Sequence, residues 1–196
     1  MRRVNLKKFI IVIVSFFIVS FANASPSVNL DFKQLLNEAG LILNHKPELM
    51  VVKPQINSIQ QYEYALRTKD DALEIRYAIR PLSRVKIDYE DPHSSAPDPN
   101  HLFPLLFDSM LENLSKSGQT PKREYSQKQA RDLFNADWAN AAAFDLAPEF
   151  SKNYKQGLLI AIHKNMKADV YASYLYNDYL KVKKIINESL DALIFK

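Results

Sequence analysis

The chain has no cysteine, three glycines and one tryptophan among its 196 residues. Without cysteine there is no disulfide, no thiolate nucleophile, no thiolate zinc site and no cysteine for lipid attachment. Three glycines are too few for a loop that cradles phosphate with backbone N–H groups. No serine stands in a nucleophile-elbow sequence. No apolar run reaches the roughly 20 residues of a membrane-spanning helix. Acid is missing from the first 24 residues, which carry Arg2, Arg3, Lys7 and Lys8. The net charge of +4 comes from that stretch: beyond it, 22 basic residues face 22 acidic ones. The pI of about 9.1 is therefore no sign of nucleic-acid binding.

What the N-terminus does have is a basic start, the thirteen-residue apolar run from Phe9 to Phe21 broken only by Ser15 and Ser20, and then Ala22-Asn23-Ala24. These are the three parts of a secretory signal peptide, with cleavage expected after Ala24. The expectation is a periplasmic or secreted bacterial protein that begins at Ser25 and touches the membrane only through its signal segment; the alternative is an uncleaved N-terminal anchor, for which thirteen apolar residues are short. Residues 25–196 are of single-domain length, and a chain this long buries enough apolar surface to fold without disulfides.

Apolar spacing sets the elements. Phe32, Leu35, Leu36, Ala39 and Leu43 fall on a helical stripe that Asp31 can cap. Leu49–Val52 reads as a short strand. Tyr62, Tyr64 and Leu66, then Leu73, Ile75, Tyr77 and Ile79, alternate with charged residues around Thr68-Lys69-Asp70-Asp71. This predicts a hairpin pairing Leu66 with Leu73, Tyr64 with Ile75 and Glu63 with Arg76, one face buried and one wet. Residues 81–100 carry four prolines and read as irregular, with a possible edge strand at Lys86–Tyr89. Asn100 introduces a helix through Leu114, and Pro104 falls in its first turn, where its missing N–H costs little. Ser126 and Gln129 open another helix with a capping-box pattern, placing Ala130, Leu133, Phe134, Trp138 and Ala141 on one side. Strands at 158–164 and 168–176 are apolar on both faces, which marks them as central and covered on both sides. Asn177 introduces a last helix with Tyr179, Val182, Ile186, Leu190 and Leu193 on one stripe, predicted to cross those strands.

The expected class is therefore α+β: an antiparallel sheet built from two hairpins and covered by amphipathic helices. This order, and most of all the stretch from Gln156-Gly157-Leu158-Leu159-Ile160-Ala161-Ile162-His163 through Ala192-Leu193-Ile194-Phe195, resembles the PsbP-like fold, which includes the DcrB-like exported bacterial proteins. The resemblance implies an exported binding or accessory protein without a shared active site, and it transfers no functional residue.

Four groups of residues are chemical candidates. The loop from Asp88 to His101 offers nitrogen and oxygen donors for a divalent metal, and Asp91, His93, Asp98 and His101 would serve a metal-dependent hydrolase. No recognised ligand spacing supports this, and turn and cap roles account for the same residues. Arg67, Arg76, Arg80, Arg84 and Lys86 gather on the first hairpin and could receive an anionic ligand or an acidic partner. Trp138 beside Asn135 and Asp137 could form a sugar platform, although its place on the helix's apolar stripe favours core packing. His163 ends an apolar strand and reads as structural, and His45 can serve the end of the first helix. The function expected is an exported, non-catalytic accessory or binding protein without a cofactor. Its partner would be a protein or small molecule of the cell envelope, with Arg76, Arg80 and Trp138 as candidate contacts. Nucleic acid is not expected.

Overall fold

A computed structural model describes residues 30–44, 46–85, 98–118 and 120–196. The segment expected to be a signal peptide, Ser25, His45, the edge strand expected at Lys86–Tyr89, Asp91 and His93 lie outside the described residues. The elements in chain order are α1 (Leu30–Ala39), β1 (Leu41–Leu43), β2 (Leu49–Val52), β3 (Tyr64–Thr68), β4 (Leu73–Pro81), α2 (Phe103–Leu114), β5 (Lys122–Glu124), α3 (Gln127–Phe134), β6 (Trp138–Asp145), β7 (Gln156–Lys164), β8 (Ala168–Tyr176), α4 (Tyr179–Glu188) and β9 (Leu193–Phe195). Short 3-10 turns at Leu82–Arg84 and Pro99–His101 flank the proline-rich region.

Seven strands form one antiparallel sheet in the order β2-β3-β4-β8-β7-β6-β5, and β1 pairs with β9 in a separate ribbon. The α+β class expected from the sequence is the one observed. The hairpin of β7 and β8 lies at the middle, with His163 opposite Asp169 and Lys164 opposite Ala168 across a turn where Met166 takes φ 59°. Because these strands are interior, both faces must be covered. Val182 and Ile186 of α4, Phe32 and Leu35 of α1, and Phe134 of α3 pack on one face, against Ile160, Ile162, Val170 and Tyr174. Phe103, Phe107, Leu111 and Leu114 of α2 pack on the other, against Leu159, Ala161, Tyr171 and Leu175.

Several expectations are corrected. The first helix stops at Ala39 because Gly40 takes φ 67°, and Leu43 belongs to β1. Leu193 likewise belongs to β9, and α4 is capped by Asp178, whose carboxylate accepts from the N–H groups of Leu180 and Lys181. The 3-10 turn before α2 is capped by Asp98, and Asn100 lies inside it. The capping box of Ser126 and Gln129 forms as expected, but the helix ends at Phe134, where Asn135 takes φ 51°. Trp138 and Ala141 therefore lie on a strand, β6.

The first hairpin closes two residues away from the expected register. Leu66 faces Ile75, Tyr64 faces Tyr77 and Arg67 faces Glu74. Thr68 ends β3, its hydroxyl accepting from the N–H of Leu73, and Asp71 takes φ 53° in the turn. A two-residue slip keeps every side chain on its own face, so the assignment of faces survives while the partners change. The wet face is also corrected. β4 pairs with β8 inside the sheet, so Glu74 and Arg76 lie buried on the α2 side.

Candidate functional site

The β7–β8 register brings a buried polar cluster together. His163 is 0% and Asp169 2% exposed. Imidazole Nδ1 lies 2.6 Å from an Asp169 carboxylate oxygen, and Nε2 lies 3.0 Å from the side-chain oxygen of Asn165. Phe103 of α2 and Trp138 of β6 lie against the ring, with centroids 5.4 and 5.9 Å away. Asn165 is itself held by its N–H donating to Asp137 at 2.9 Å. Burial opposes a charge on the imidazole. The hydrogen bonds to Asp169 and Asn165, with the charges of Asp169 and Asp137, outweigh burial and hold the pKa above the ordinary value of 6.5. Both neighbours are acceptors, so both ring nitrogens donate and the imidazolium form is favoured. Neither nitrogen is left to take a proton from a substrate. This cluster fastens the hairpin turn to the start of β6.

The arginines singled out from sequence are bound to the protein's own groups. Arg76 is 8% exposed. It donates to Glu74 at 2.6 Å and to the Phe150 carbonyl at 3.0 Å, and its guanidinium lies over the rings of Tyr62 and Phe150. Arg67 holds the other Glu74 oxygen at 2.8 Å. Arg80 donates to Glu63 and to the Gln61 carbonyl, and Arg84 grips Glu38 with two nitrogens. Asp98 accepts from the backbone and side-chain nitrogens of Asn100, and His101 is exposed in the same turn. Among the described residues no three of His, Asp and Glu stand together as a metal site. Trp138 is 38% exposed, so the core-packing expectation is corrected: on a strand near the sheet's edge, only part of its indole is covered.

A cleft beside α1 was not visible in the sequence. It has a volume of about 630 Å³ and opens where α1 crosses the β2–β3 edge of the sheet. Phe32, Leu35, Val51, Val52, Tyr62 and Tyr64 supply its apolar walls. Phe32 stacks on Tyr64 with centroids 4.4 Å apart and planes 6° from parallel, which fixes one wall. Of the charged lining, Glu63 is taken by Arg80 and Arg84 by Glu38, and Asp31 also lines the cleft and is not free. Among the described residues Lys53 has no ion-pair partner, and the Tyr64 hydroxyl has no hydrogen bond. Burial alone raises the Tyr64 pKa, so the phenol stays neutral as a donor. The lining residues come from three elements and a loop far apart in the chain, each apolar for reasons that also fit a core position.

Among the described residues no helix is long and apolar enough to cross a membrane. No protein-family model matches the chain, and no curated protein matches its sequence. Among solved structures, the solution structure of cyanobacterial PsbP (CyanoP) from Synechocystis sp. PCC 6803 is similar, at 7% identity and a TM-score of 0.45, over 82% of this chain and 89% of that one.

Proposed function

We propose that the protein is exported to the cell envelope and acts there as a non-catalytic binding protein, taking an apolar molecule with an anionic head into the cleft between α1 and the β2–β3 edge. The observation that carries this reading is the cleft's chemistry: apolar walls with, among the described residues, one unpartnered cation, Lys53, and one unpartnered hydroxyl donor, Tyr64. Small-molecule sites occupy about 300–1,000 Å³, with mostly apolar linings and a few polar groups that fix orientation. A carboxylate at Lys53, with its alkyl or aromatic body against Phe32, Leu35 and Val51, uses each of these features. Export rests on the basic, apolar and small-residue segments of residues 1–24.

Isothermal titration of the exported protein with dodecanoate tests the reading. One saturable site is expected, weakened at least tenfold by Lys53→Glu and blocked by Val51→Trp, which fills the cleft from the α1 face. Absence of saturable heat at millimolar dodecanoate, or unchanged binding in Val51→Trp, would reject it.

A further inference from the structure

A second site stands at the opposite edge of the sheet. The β5–β6 register sets Glu124 opposite Asn140 on the α2 face, and Trp138, two residues along β6, shares that face. Trp138 rises between two clefts of about 330 and 460 Å³ that share Glu124. One runs toward α2, with Phe103 and Asn140 in its wall; the other runs toward the start of α3, with Gln127 and Asp137. Phe103 and His163 support the indole at centroid distances of 6.2 and 5.9 Å, so the ring is braced although 38% exposed. Among the described residues the side chains of Glu124, Gln127 and Asn140 make no hydrogen bond. The cation beside them, Lys122, is held by both oxygens of Asp108 at 2.7 and 2.8 Å.

We propose that Trp138, flanked by Glu124, Asn140 and Gln127, is a binding platform for a neutral or N-acetylated oligosaccharide. A pyranose has an apolar C–H face and a rim of hydroxyls. The indole offers a rigid apolar surface to the first, and carboxylate and amide groups offer paired acceptors and donors to the second. Two clefts on either side of one ring suit consecutive sugar units. The free carboxylate of Glu124 and the neutralised Lys122 disfavour an acidic saccharide. An apolar ligand would leave the polar side chains unpaired, which costs affinity. This inference is independent of the α1 cleft and stands or falls without it.

Trp138 is the only tryptophan, so its emission reports on this site alone. Titration of the exported protein with chitotetraose and with cellotetraose is expected to give a saturable shift or quench of that emission with at least one of them. By calorimetry, Trp138→Ala should weaken binding at least tenfold, Asn140→Ala and Glu124→Gln several-fold, and Trp138→Phe less than Trp138→Ala. A galacturonic acid tetramer should bind more weakly than the neutral probes. No saturable change in the wild-type emission at millimolar chitotetraose or cellotetraose would overturn the proposal. So would tighter binding of the acidic tetramer, or undiminished binding by a folded Trp138→Ala variant.

Discussion

Replacement of Asp169 by asparagine removes the counter-charge from a group sealed inside the protein. His163 is 0% exposed, with one nitrogen 2.6 Å from Asp169 and the other 3.0 Å from Asn165. Breaking one side of a buried ion pair costs about 3–5 kcal/mol, against a total stability of about 5–15 kcal/mol for a domain. For a chain of this length each kcal/mol lowers Tm by about 2–4 °C, so Asp169→Asn should lower it by roughly 6–20 °C. The pH dependence follows from the same geometry. The His163 pKa is raised in the folded state, so the pair's contribution is complete below the ordinary histidine value of 6.5 and is lost as pH rises through the folded-state value. Thermal denaturation followed by circular dichroism from pH 5.5 to pH 9 should show wild-type Tm declining on the alkaline side of 6.5. In Asp169→Asn that decline should be largely absent, because its imidazole has lost the charge that kept it protonated. A wild-type profile flat across that range, together with a small effect of Asp169→Asn, would refute the assignment of an imidazolium–carboxylate pair.

Two further outcomes test the layers around the sheet. Ile186 of α4 is buried against the central strands, so Ile186→Ala should cost about 2–5 kcal/mol. Lys183 on the outer side is exposed, and Lys183→Ala should change stability by under about 0.5 kcal/mol; guanidinium denaturation of both measures the contrast. At Gly157 an added Cβ would meet Leu146 and Phe144 at 3.0 Å, so Gly157→Ala should destabilise by about 1–3 kcal/mol, read by the same denaturation curves.

The central sheet was legible because its signals are long and consistent. Nine-residue strands apolar on both faces, separated by Asn165-Met166-Lys167, have one economical reading as a buried hairpin. The opposition of His163 and Asp169 follows from that register, so this cluster too was within reach of sequence reasoning. The start of α3 was legible for a different reason, since Ser126 and Gln129 are a local capping device. β1, β5 and β9 have three residues each, too short to show alternation. β6 was hidden by its composition. Ala139, Ala141, Ala142 and Ala143 favour a helix intrinsically, and Trp138 with Ala141 continues the spacing of α3. Pairing with β7 overrides that preference, and the turn at Asn135 exposes a tryptophan that its spacing assigned to the core. In the first hairpin, alternation determined the faces, whereas Thr68 and the Asp71 turn determined the partners. The α1 cleft brings Phe32, Val52 and Tyr64 together from separate elements, and no local pattern marks such a meeting.

A chemical-shift map of the amide resonances during titration with dodecanoate tests the binding account most directly. The account predicts saturable shifts at Phe32, Leu35, Val51, Val52, Lys53 and Tyr64, with the amides around His163 and Trp138 unmoved. Shifts spread evenly over the surface, concentrated away from the α1 and β2–β3 edge, or absent at saturating dodecanoate would contradict it.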